Sequence, residues 1–301
     1  MDTSTIPQTS TAPAFFDNQL QMGGSERHAV CRRAWLFIVM LATPLALFLL
    51  LLTPAAQASD CMNVVVTRAT DGGAGSLRQA LVDVCAGGKI TFASALTAGG
   101  PVTITLTNNE LYIRKHVTIV GPGADLLAVS GDNRNRVFFI SYQVTADISG
   151  LTIRDGVDFP DYQDGKGGGI LLHGDLTLRA SKVVSNAATY GGGSTYGVSF
   201  ALLDVTFAQN LGIGGGIYNG GVLSMVNSSM IGNFGLYGMA SGLHTTAGTA
   251  VISNTTVMSN GVCNGTTCPR SGSPISSNGG VRLPLSTLLL RAIPPNYMVV
   301  A

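Results

Sequence analysis

The sequence predicts an all-β chain, a right-handed parallel β-helix (solenoid) with a short N-terminal capping helix. Three observations carry that prediction: a repeat of 23–27 residues, apolar alternation at period two inside each repeat, and 39 glycines beside only 11% charged residues. The repeat is anchored at Leu178, Leu202, Met225 and Ile252. Five residues beyond each anchor comes a second apolar residue: Val183, Phe207, Met230 and Val257. Three beyond that comes an asparagine: Asn186, Asn210, Asn233 and Asn260. Glycine clusters precede the anchors, at Gly167–Gly169, Gly191–Gly193, Gly214–Gly216 and Gly242. An earlier unit, Ile148 with Ile153 and Gly156, keeps the same internal spacing.

Pairs such as Leu176/Leu178, Leu223/Met225 and Ala250/Ile252 give each unit strands with one buried face. A unit this short cannot bury a core alone, so the units stack, each adding about 4.8 Å along a shared axis. The four asparagines are expected to form a structural ladder. Asn tolerates the left-handed backbone of a sharp corner, and stacked amides satisfy one another. Ser181, Ser228 and Thr255 share one repeat position with Val205, which marks an inward or stacked site.

Taken in chain order, residues 1–33 form a polar, irregular extension. Residues 34–58 read as a signal peptide or an N-terminal membrane anchor. Arg27, His28, Arg32 and Arg33 precede the apolar run from Trp35 to Leu52, and Ala56-Gln57-Ala58 follows as a cleavage signal. Either outcome exports the remainder, with membrane contact only through this segment if it stays uncleaved. Residues 59–100 form the cap and first strand. Val64–Thr67 reads as a strand, Asp71–Gly75 as a turn, and Ser76 as the N-cap of a helix from about Leu77 to Val84. Such a helix shields the open end of a solenoid. The glycines of this turn lack the Gly-Lys-Ser/Thr ending of a nucleotide-phosphate loop.

The β-helix itself is expected over 101–293, with an irregular tail at 294–301. Past Asn260 the pattern fails, although Gly279-Gly280-Val281 hints at another coil. No cap is recognisable there, and an open solenoid end is expected to associate. Cys61 and Cys85 flank the first exported segment, and Cys263 and Cys268 flank a short loop. Two local pairs in an exported chain suggest two disulfides, with free thiols as the alternative. The spacing does not suit zinc.

The string Asp71-Gly-Gly-Ala-Gly-Ser-Leu-Arg-Gln-Ala-Leu81, followed by Ile90-Thr-Phe92, Ile104-Thr-Leu106 and Val117-Thr-Ile-Val-Gly-Pro-Gly123, resembles the N-terminal region of exported bacterial parallel β-helix repeat proteins with a Ser-Leu-Arg-Glu-Ala-type motif. Gln79 stands where that motif has Glu. The glycine clusters and Phe207-Ala-Gln-Asn210 are similar to the repeats of polymorphic outer membrane proteins. The resemblance spans roughly residues 61–260 and implies fold and export. Some members of these families are adhesins.

Function is less legible. A net charge of +1 with no basic block argues against a nucleic-acid partner. Beyond residue 58 there is one glutamate, Glu110, and most aspartates fall singly in turns. No carboxylate set of the polygalacturonase kind is present, so catalytic residues are expected to be none. The exception is Asp155, Asp158, Asp161 and Asp164, four carboxylates in ten residues that offer oxygen ligands to Ca²⁺. A solvated acidic loop is the plainer alternative. Tyr162, Tyr190, Tyr196, Tyr218 and Tyr237 lie near the glycine corners and could stack on sugar rings or simply cover the corners. The expectation is a secreted or surface-displayed, non-catalytic β-helix for adhesion or envelope interaction, with glycans or a cell-surface partner. A pectate-lyase-like or glycoside-hydrolase enzyme is the alternative on the same fold, and a structural spacer is a third.

Overall fold

The computed structural model describes residues 62–158, 165–195, 199–258, 260–263, 274–278 and 280–282. All lie in the unit Ser59–Ala301. The extension, the signal or anchor segment, Cys61, Cys268 and the tail lie outside the described residues. Among the described residues, no helix is long and apolar enough to cross a membrane.

The chain is a parallel β-helix. Every strand pair runs parallel, and the strands form sheets of 14, seven and five members. The register follows the repeat: Ile148 stacks on Leu178, Leu178 on Leu202, Leu202 on Met225 and Met225 on Ile252. Ile153, Val183, Phe207, Met230 and Val257 form the parallel column. Both columns are buried in one continuous apolar interior. Each fully buried Leu or Phe contributes about 1.5–3 kcal/mol relative to an exposed one.

The odd spacings inside the repeat have a backbone cause. On one strand, residues five apart face opposite sides. Leu202 and Phe207 both face inward because Asp204, with φ 57°, turns the chain between them and inverts the phase. Ala180, Asp204, Asn227 and Asn254 are the equivalent left-handed corners in successive coils. The hydroxyls of Ser181, Ser228 and Thr255 follow these corners and donate back to the carbonyls of Arg179, Val226 and Ser253.

A second inversion precedes the ladder asparagines, and here the sequence expectation needs correction. The left-handed residue is not the asparagine but its predecessor: Ser185, Gln209 and Gly232 have φ of 56°, 57° and 63°. This corner frees Asn186, Asn210 and Asn233 to point inward.

The five-stranded sheet begins only at Val157–Asp158, so the coils before it lack that wall. At the C-terminal side, Ile275–Ser277 pairs with Leu243–Thr245 and Gly280–Arg282 with Thr249–Val251, extending the solenoid by a further coil. The N-terminal end carries Asn63–Val66 and the cap helix α1, Leu77–Asp83, which buries Leu77 and Ala80.

Candidate functional site

The helix α1 begins at Ser76, whose hydroxyl accepts from the Gln79 amide at 3.1 Å. It is tied to the first coil by Asp71 and Arg78. One carboxylate oxygen of Asp71 accepts from Arg78 Nε at 3.0 Å and Nη2 at 2.6 Å. The other accepts from the amides and side chains of Thr107 and Asn108. Arg78 also donates to the carbonyls of Asn109 and Glu110. Burial alone would raise the Asp71 pKa, but the Arg78 hydrogen bond and charge and the amides of Asn108 and Thr107 outweigh it and hold the carboxyl below its usual range.

The loop so fixed leads into Leu111–Ile113, the first strand of the seven-stranded sheet. Leu111 and Ile113 face inward while Tyr112 is exposed. The Arg114 guanidinium lies 4.8 Å from the centre of the Tyr112 ring. Lys115 reaches back to α1 and donates to the carbonyls of Val82 and Val84 at 2.7 and 2.8 Å, a cation at a helix C-terminus. Between helix and strand lies an open groove of about 340 Å³, lined by Arg78, Leu81, Val82, Leu111, Tyr112, Arg114 and Lys115. Asp71 offsets Arg78; among the described residues Arg114 and Lys115 meet no carboxylate at ion-pair distance.

Tyr112 opens a row of rings running up the outer face. Phe139, its register partner, lies 5.2 Å away, His173 is 5.0 Å from Phe139, and Tyr142 is 4.4 Å from His173. Burial first, then the neighbouring Glu110 carboxylate, raises the Tyr112 pKa against the opposing charges of Arg136 and Arg114.

Glu110 is the visible end of a buried network that sequence reasoning missed. Arg136, only 2% exposed, donates Nη1 to Glu110 at 3.2 Å and Nη2 to Asp158 at 2.6 Å. It donates further to the carbonyls of Lys166 and Gly167, and the Lys166 amide donates to Asp158. The network fills the place where the five-stranded sheet starts. Its members are 22 and 26 residues apart and never repeat. The one hint was Glu110, the only glutamate beyond residue 58, standing at the head of the apolar strand Leu111–Ile113.

The residues singled out from the sequence fall in different places. Asn186, Asn210, Asn233 and Asn260 form one buried ladder. The amide N–H of Asn186 donates to Asn210 Oδ1 at 3.0 Å, and the same bond links Asn210 to Asn233 and Asn233 to Asn260. Each Nδ2 also donates to a carbonyl one coil back, at Ile153, Val183, Phe207 and Met230. A Cβ at Gly192 would lie 2.7 Å from Asn210 Cβ, so the glycine clusters make room for the ladder.

Of the four aspartates considered for Ca²⁺, Asp158 is turned inward to Arg136, and Asp155 accepts from Ser130 and pairs with Arg154 at 3.0 Å. Asp161 and Asp164 lie outside the described residues, as do Tyr162 and Tyr196. Among the described residues, no group of three or more His, Cys, Asp or Glu is placed to hold a metal. Tyr190 and Tyr218 are 5.0 Å apart, and Tyr218 is followed by His244, whose Nδ1 lies 2.6 Å from Ser276 Oγ and whose pKa burial lowers. Tyr237 stands apart, 76% exposed.

Comparison with family models, curated proteins and solved structures finds no match to this chain.

Proposed function

We propose that the protein is an exported, non-catalytic recognition solenoid that serves adhesion or envelope interaction. The observation that carries this reading is the outward row Tyr112, Phe139, His173 and Tyr142 on a rigid face, continuous with the open basic groove. Rigid rings with few rotatable bonds are effective contact surfaces because little entropy is lost on binding. Charge placement supports the same reading. Asp71, Asp125, Asp132, Asp147 and Asp155 are each matched to a cation of their own, and Glu110 and Asp158 share the buried Arg136. Charges used this way hold corners rather than converge on a substrate. The two local cysteine pairs, Cys61 with Cys85 and Cys263 with Cys268, fit the same reading, and we assign them as disulfides of an exported chain. The similarity of the first coils to exported β-helix repeat proteins points the same way.

The test is a panel of acidic and neutral glycans presented to the purified protein, with Ca²⁺ and with chelator. Saturable binding without product supports the reading. Product release would replace it with a lyase or hydrolase, and chelator-sensitive product would show that such an activity needs a divalent cation.

A further inference from the structure

We infer that the groove between α1 and Leu111–Ile113 takes an anionic sugar unit of an acidic glycan, with Arg114 as the residue that reads the charge. The inference rests on the recognition reading above and names its ligand class.

The Arg114 guanidinium carbon lies 4.8 Å over the centre of the Tyr112 ring, a cation–π contact that restrains the side chain at the groove. A planar fork of this kind matches the two oxygens of a carboxylate or sulfate. Lys115 adds a second positive charge that no described carboxylate offsets, and its direction is set by two helix carbonyls. Of the carboxylates nearest in sequence, Asp71 pairs with Arg78 and Glu110 with Arg136, whereas Asp83 accepts from the neutral Gln79 amide and keeps its charge. Arg114 and Lys115 together outnumber Asp83, the one nearby carboxylate not matched to a cation among the described residues, so the groove carries net positive charge.

Its remaining walls are apolar. Leu81, Leu111 and Val82 line it, and Val82 is 63% exposed. An isolated inorganic ion would leave that surface wet, whereas the C–H face of a sugar ring covers it. From Tyr112 through Phe139 to His173 the rings advance along the solenoid axis by one coil, about 4.8 Å, at a time, which suits a chain of sugar units rather than a single ion. Glu110, which stands immediately before the strand Leu111–Ile113 that carries Tyr112, is held by Arg136. The buried network thus anchors the start of the strand that carries the groove's aromatic wall.

The test is calorimetric titration of the full chain with oligogalacturonate, sulfated dextran oligomers and neutral maltooligosaccharide. Three variants accompany it: Arg114→Gln, Arg114→Lys and the control Arg134→Gln, whose side chain is exposed and remote in sequence from the groove. The expected result is binding of one or both acidic probes that is weakened at least tenfold in Arg114→Gln, partly restored in Arg114→Lys, and unchanged in Arg134→Gln. Melting temperatures are expected to be unaltered in all three. Preference between the two acidic probes identifies the anion as carboxylate or sulfate. Equal affinity of wild type and Arg114→Gln for the acidic probes would overturn the inference. So would tighter binding of the neutral probe, which would still leave the recognition reading standing. Failure of all three probes, extended to failure across the full glycan panel, would remove both.

Discussion

The two halves of the solenoid solve one problem differently. From Gly167 to Cys263, each coil satisfies its buried corner with one neutral asparagine, and the solution is copied from coil to coil. From Asn63 to Asp158 no such residue recurs. The corners there are closed by charged, unrepeated networks: Asp71 with Arg78, and Glu110 with Arg136 and Asp158. The difference shows where specialised chemistry can arise. A ladder is shared between neighbours and tolerates little change at any one rung, whereas a single network can be shaped locally. The groove and the ring row both begin in the irregular half.

The largest effect is expected from Arg136→Met. It strands two buried carboxylates and should lower stability by about 3–5 kcal/mol in urea unfolding. Replacing Glu110, Arg136 and Asp158 together by apolar residues of similar volume should recover most of that loss. In the repeat half, Asn210→Ala removes the acceptor for the Asn186 amide and the donor to the Val183 carbonyl. Each orphaned group costs about 1–3 kcal/mol, so the same assay should show a loss of about 2–3 kcal/mol or more.

Asp71→Asn should cost about 1.5–3 kcal/mol, as expected for hydrogen bonds to a charged group. The wild-type protein should also show an acid signature. The Asp71 pKa is lower folded than unfolded, so its contribution is present above the unfolded value of about 4 and is lost as pH falls through the folded value. Thermal melts from pH 6 to pH 2 should show this loss in the wild type and a shallower one in Asp71→Asn. Ser76→Ala removes the N-cap of α1 and should cost about 1 kcal/mol. The smallest effect is a gain. Ala180 occupies the left-handed corner that Asn227 and Asn254 occupy in later coils. Ala180→Asn should stabilise by up to about 1 kcal/mol, read as a higher melting temperature.

The sequence made the repeat half legible because its interactions recur at fixed offsets. Leu202, Phe207 and Asn210 announce a coil by spacing alone, and the two odd offsets between them encode the left-handed residues Asp204 and Gln209. Which residue of a corner takes that conformation was not readable. Asn210 and Gln209 are adjacent, and only the register decides that the asparagine turns inward. The cap helix was legible for a local reason: the turn Asp71–Gly75 and the N-cap Ser76 adjoin it in the chain, whereas the ties from Asp71 and Arg78 to Thr107–Glu110 are distant in sequence and were not read. The Arg136 network was not, because its contacts join residues distant in sequence and occur once. Tyr112 and Arg114 escaped notice for the same reason. Attention fell on tyrosines beside the glycine corners, and a groove between a helix and a strand has no signature along the chain.

The most direct test is hydrogen exchange of the full chain with and without the tightest-binding glycan of the panel. The account predicts new protection at residues 78–82 and 111–115, extending along the ring row toward Phe139 and His173, with the coils from Ala187 to Cys263 unchanged. Protection confined to those later coils would contradict it and move recognition from the irregular half to the repeat.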